Sequence, residues 1–157
     1  NARVYGDAQV SGDAWVSGDA WVSGDAWVSG DAQVYGNAWV YGNAWIYGDA
    51  RVSGNAQVYG DAQVSGDAWV YGNAQVYGDA QVSITPITIG GLRWFVTISD
   101  NLVCIGCQLH SAKDWKLFPN FSIEQMDEDA LEFWKLHKTT ILRLAKIHQA
   151  KIVKEAK

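Results

Sequence analysis

Residues 1–83 repeat one six-residue phrase, Gly-(Asp/Asn)-Ala-x-Val-(Ser/Tyr), without an insertion or deletion. Its β-branched position recurs fourteen times from Val4 to Val82, with Ile46 the one departure from Val. A period this regular describes a solenoid, because a six-residue unit cannot bury its apolar face alone and must do so against its neighbours. Ala and Val stand two apart, so in an extended segment both point to one face, while x and the Ser/Tyr after Val point to the other. The Gly-Asx pair suits a tight turn between sides. The interior is therefore small and aliphatic, and the exterior carries Trp, Gln, Ser and Tyr.

An aliphatic residue followed four later by a small one, in every hexad, resembles the hexapeptide-repeat family of left-handed parallel β-helices. That resemblance implies left-handed winding and three hexads per triangular coil. Fourteen sides then make about 4.7 coils, and residues eighteen apart stack as rungs roughly 4.8 Å apart. The x positions form three ladders: Arg3, Trp21, Trp39, Gln57, Gln75; Gln9, Trp27, Trp45, Gln63, Gln81; and Trp15, Gln33, Arg51, Trp69. Six of the nine Trp thus stand outside the prism. Contiguous apolar surface beyond a few hundred Å² marks an interface, and the family resemblance implies homotrimers with prism faces packed together. Trp21, Trp39, Trp27 and Trp45 read as subunit contacts, with stacking on a ligand as the competing reading. Asp and Asn at the turns stack too, each capping its own turn in water.

The formal charge is −5, distributed unevenly. Residues 1–83 hold two Arg against nine Asp, net −7, and residues 84–157 hold ten Lys/Arg against eight Asp/Glu, net +2. This argues against a nucleic-acid polymer as partner and leaves phosphate contacts to local groups, Arg51, Arg93, Lys113 or Lys116. No 18-residue apolar run spans a bilayer. The chain opens mid-repeat at Asn1 without Met, which reads as a trimmed beginning, and no targeting segment is legible. Cys104 and Cys107, in Cys-Ile-Gly-Cys, read as ordinary thiols of a reducing compartment.

The hexad rhythm breaks at Ser83-Ile84-Thr85-Pro86. Residues 84–121 read as a three-stranded meander, Ile87 to Ile89, Leu92 to Ile98 and Leu102 to Leu109, that caps the solenoid. Residues 122–157 read as a helical segment. Ser122 with Gln125 has the form of a capping box, and a helix of about 28 residues follows Asp127-Glu128-Asp129, with Lys151, Lys154 and Lys157 favouring its dipole. Leu131, Trp134, Ile141, Ala145, His148 and Ile152 form an imperfect heptad seam, so Trp134 and Ile141 read as oligomer contacts on a helix that overhangs its own domain. Residues 92–142, through Ile105 to His110, Trp115, Phe118 to Met126, Ala130, Phe133-Trp134 and His137-Lys138, resemble the C-terminal module of phage and prophage hexapeptide-repeat proteins. This implies a viral or prophage accessory protein, expected in the cytoplasm of a bacterial host.

Related acyltransferases carry a catalytic His on or beside the repeat, whereas residues 1–83 contain no His, Lys or Cys. Related carbonic anhydrases gather three His on zinc, and here His110, His137 and His148 are scattered outside the repeat. Ice-binding β-helices present Thr arrays that this repeat lacks. The reading is a non-catalytic, metal-free and cofactor-free binding protein that captures a small planar ligand at subunit junctions. Within the viral setting that ligand reads as a nucleotide-type immune signal, a cyclic nucleotide or an ADP-ribose derivative. The polar breaks in the ladders supply the candidate residues, Arg51 and Gln33 between Trp15 and Trp69, or Arg93 with Gln108 and His110 in the cap. A structural spacer and a carbohydrate-binding protein are the alternatives.

Overall fold

The computed structural model describes residues 1–155; Lys157, read above as favouring the helix dipole, lies outside the described residues. Fourteen two-residue strands, β1 (Arg3–Val4) to β14 (Gln81–Val82), form three parallel sheets. Every pairing joins residues eighteen apart, so that Trp21 lies beside Trp39, Trp27 beside Trp45 and Gln33 beside Arg51. The three ladders are those of the repeat. The chain is a mainly β parallel solenoid of a little over four coils, followed by a small antiparallel sheet and three helices.

Local chemistry explains the regularity. From Arg3 to Gln63 the backbone N–H of each x residue donates to the Ala carbonyl of the next coil, as from Trp21 to Ala38 at 2.9 Å. Each repeat Gly adopts positive φ, for instance +73° at Gly42, where a Cβ would also come within 3.0 Å of the Gly60 nitrogen. Only glycine meets both demands. Inside, every Ala and Val/Ile from Ala20 to Val82 is almost wholly buried. Burying one Val stabilises by roughly 1.5–3 kcal/mol, but only when both neighbouring coils are present; Val4 and Val10 in the first coil remain 45% and 38% exposed.

The turn ladders differ from the expected self-capping. Asn43 donates to the Asp61 carboxylate at 2.9 Å, and Asn37 to Asn55 and Asn55 to Asn73 at 3.2 and 3.3 Å. An amide among carboxylates supplies the donor that a pure Asp stack lacks.

The cap sheet has four strands rather than three, β15 (Ile87–Ile89), β16 (Val96–Ile98), β17 (Val103–Ile105) and β18 (Gln108–His110), in sequential antiparallel order. The expected strand from Leu102 to Leu109 is split by a turn in which Gly106 has φ +58°. The space over Gly106 is filled by Trp94, whose Cδ1 lies 2.9 Å from where a Cβ would stand. Helices α1 (Ala112–Leu117), α2 (Asn120–Glu124) and α3 (Ala130–Glu155) follow. The expected capping box at Ser122 is not one, because Ser122 lies inside α2, which Pro119 precedes as N-cap. The side-chain cap is instead at Ser111, whose Oγ accepts from the Asp114 N–H at 3.1 Å.

The last coil is closed by side chains of the cap. Backbone N–H groups that would donate to a further coil donate instead to Thr85 Oγ1 from Trp69, to Thr97 Oγ1 from Gln75 and to Asn101 Oδ1 from Gln81, at 3.1, 3.3 and 2.9 Å. One of these lies on each face of the prism, so each face of the open edge has a backbone donor met by the cap. The seam of α3 also serves this cap. Trp134, Ile141 and Ala145 are buried in a core with Val96, Ile98, Val103 and Trp115. The expectation that Trp134 and Ile141 contact another subunit is therefore corrected: their surface is spent within the chain.

Candidate functional site

The outward aromatic side chains stack on each other along the prism. Trp21 and Trp39 have centroids 5.1 Å apart and planes 4° from parallel, and Trp27 and Trp45 are 5.4 Å and 8° apart. Tyr41, Tyr59 and Tyr77 continue the pattern at 4.8 and 5.0 Å. Inserting a planar ligand between two rings needs roughly 7 Å, twice the ~3.4 Å stacking repeat of bases, so these ladders are closed to intercalation. Their outer edges and end rings are open. Trp15, Trp27, Trp39, Trp45 and Trp69 are 57%, 43%, 45%, 47% and 41% exposed, spread over all three faces. Shallow clefts flank two ladders, one along Trp27, Trp45, Tyr47 and Gln63, the other along Tyr5, Trp21, Trp39 and Tyr41.

On the third face Trp15, Gln33, Arg51 and Trp69 do form one ladder. They follow one parallel sheet of the prism. Trp15 and Trp69 stand three rungs apart, about 14 Å at the strand spacing, and Trp69 donates its Nε1–H to Ser53 Oγ at 2.9 Å. Arg51 is exposed between them.

In the cap, Arg93 is ion-paired with Asp127, at 3.6 Å, and with Asp129, and lies over the Trp94 ring at 5.1 Å. His110 sets its edge against Trp115 and Phe118 and lies 3.4 Å from Gln108 Oε1. The structure thus brings Gln108 and His110 together and pairs Arg93 with the acidic turn before α3. Gln108 also lines a cavity with Trp94, Trp115, Phe133 and Trp134. Sequence reasoning missed this cavity; the density of aromatics between Trp94 and Trp134 was its signal.

Two titratable groups lie where the Tyr ladder meets the cap. Burial pushes the Tyr77 hydroxyl well above its usual range, and the hydrogen bond with Cys104, 3.5 Å from its Sγ, adds to this. Burial likewise raises the Cys104 thiol, which keeps it protonated and inert as a nucleophile. Among the described residues no group of three or more His, Cys, Asp or Glu could hold a metal ion, and no helix is long and apolar enough to cross a membrane.

Comparison with known families matches the YdcK β-solenoid repeat over residues 2–18, 8–24, 32–47, 44–60, 56–72 and 62–78. Neither the comparison with curated proteins nor that with solved structures found a match. These matched stretches lie within the run whose strands stack into three parallel sheets, so the chain is a repeat β-helix protein, with a repeat similar to that of the YdcK β-solenoids.

Proposed function

We propose that the protein is a non-catalytic homotrimer whose Trp-bearing faces pack together and capture a small planar ligand at subunit junctions. The observation that carries this is the exposure of five Trp over all three faces of a rigid prism. Burying one aromatic removes about 150–250 Å² from water, so a contact covering two Trp per face supplies the apolar centre of a standard interface. Ligand capture is supported by the ends of the ladders, where Trp45 gives way to Gln63 and Trp39 to Gln57. There a part-exposed ring stands beside an amide, and a second subunit supplies the missing wall. The three His support a non-catalytic role. His148 is buried against Asp100, His110 packs in an aromatic cluster, and His137 lies beside Phe133 at 4.6 Å.

A phage or prophage setting, carried by the resemblance of residues 92–142, makes a nucleotide-type immune signal the first ligand class to test. Calorimetry of the wild type and Arg51→Gln against cyclic dinucleotides, cyclic trinucleotides and ADP-ribose derivatives is the experiment. Saturable heat with one of them is the expected result, and no heat with any sinks nucleotide capture. Equal affinities for both proteins remove Arg51 from the site.

A further inference from the structure

The cap forms a partly open cavity of about 70 Å³, room for several water-sized groups. Its lining includes Trp94, Ile123, Met126, Phe133 and Trp134, with Gln108 among its few polar members. Trp134 is 97% buried by its 3% exposure, and its Nε1–H has no hydrogen-bond partner among the described residues. The neighbouring Trp115, equally buried, donates its Nε1–H to the Val103 carbonyl at 2.9 Å. The contrast is informative, because a buried indole donor is normally paired and an unpaired one keeps its full desolvation cost. Among the described residues the lining holds one carboxylate, Asp127, and it is ion-paired with Arg93, so the site calls for no charged ligand.

We propose that this cavity binds a small neutral molecule, about one ring in size, apolar over most of its surface and bearing one carbonyl-type acceptor for the Trp134 Nε1–H. Aromatic faces of Trp94, Trp115 and Phe133 receive the ring, and the Gln108 amide stands ready as a second polar contact. The site lies inside one chain, so it is independent of subunit assembly and of any ligand held between prisms.

Acetophenone and α-methylstyrene test it directly, since they share a heavy-atom shape and differ only in C=O against C=CH2. Full-length protein is titrated with each while the indole N–H resonances are followed by two-dimensional NMR, that of Trp134 being identified by its loss in Trp134→Phe. The expected result is saturable binding of acetophenone, at least about tenfold tighter than α-methylstyrene, with a downfield shift of the Trp134 indole proton. Ala130→Leu, which fills the cavity from its wall, is expected to abolish binding of both probes and leave the indole resonances of the prism unmoved. Equal affinities, an unmoved Trp134 resonance at millimolar probe, or undiminished binding to Ala130→Leu overturns the proposal. So does a water contact to the Trp134 indole proton that persists at saturating acetophenone, since water is then the donor's partner.

Discussion

His148 Nε2 lies 3.1 Å from Asp100 Oδ1, and the other oxygen of the same carboxylate accepts from the backbone N–H and hydroxyl of Ser83 at 2.7 and 2.6 Å. One side chain thus joins the terminal helix, a turn of the cap and the residue that follows the last strand of the prism. Burial raises the Asp100 carboxyl, but the bonds from His148 and Ser83 outweigh it and hold the group below the usual carboxylate range.

The pH dependence follows. A carboxyl with a depressed folded-state value contributes stability that is present above its unfolded value, roughly 3.9, and lost as pH falls through the folded value. Asp100→Asn is expected to be less stable than wild type by about 1–3 kcal/mol at pH 7, with the difference shrinking below pH ~4. Urea unfolding of both proteins at pH 7 and at pH ~3 measures it; a difference that does not change with pH contradicts this role for the charge.

Glycines of the turns separate two costs. Gly42 and Gly72 have φ of +73° and +67°, but a Cβ on Gly42 meets the next coil at 3.0 Å while one on Gly72 meets nothing. Gly72→Ala should therefore lose about 1 kcal/mol for the left-handed backbone alone, and Gly42→Ala should lose more, about 2–3 kcal/mol, because two backbones must also move apart. Equal losses in thermal or urea unfolding would show that the coils do not press on each other at the turn.

Asn55 accepts from Asn37 and donates to Asn73. Asn55→Asp keeps the acceptor and deletes the donor on an exposed corner. The expected loss is small, about 0.5–1 kcal/mol at low salt, and smaller in 1 M salt as the new charge is screened. A gain in stability would mean that the turn residues act only within their own hexad.

How much of this was legible in the sequence depended on whether a signal was local and periodic. The ladder from Trp15 to Trp69 and the pairing of Trp27 with Trp45 follow from an uninterrupted period of six and three sides per coil. The turn at Gly106 was missed because Leu102 to Leu109 reads as one mostly apolar run, and a run does not show where it folds back. The seam through Trp134 and Ile141 was seen, but its spacing says only that one helix face is apolar. That face turned out to cover the chain's own cap sheet. The cavity beside Trp134 needs the packing of β17, α2 and α3 together, and no pattern within any one of them records it. Arg51 breaks the ladder from Trp15 to Trp69 as the period predicts, and both its neighbours, Gln33 and Trp69, lie on the same prism face.

The central claim is that the Trp-bearing faces are where subunits meet, and light scattering at micromolar concentration tests it most directly. Wild-type protein is expected to show three times the 17.2 kDa chain mass. A Trp27→Gln, Trp45→Gln double variant, which installs the residue that the same ladder carries at Gln63 and Gln81, should dissociate toward one chain mass with its β circular dichroism intact. A single chain mass for the wild type, or an undiminished trimer in the double variant and in its Trp21→Gln, Trp39→Gln counterpart, contradicts the account.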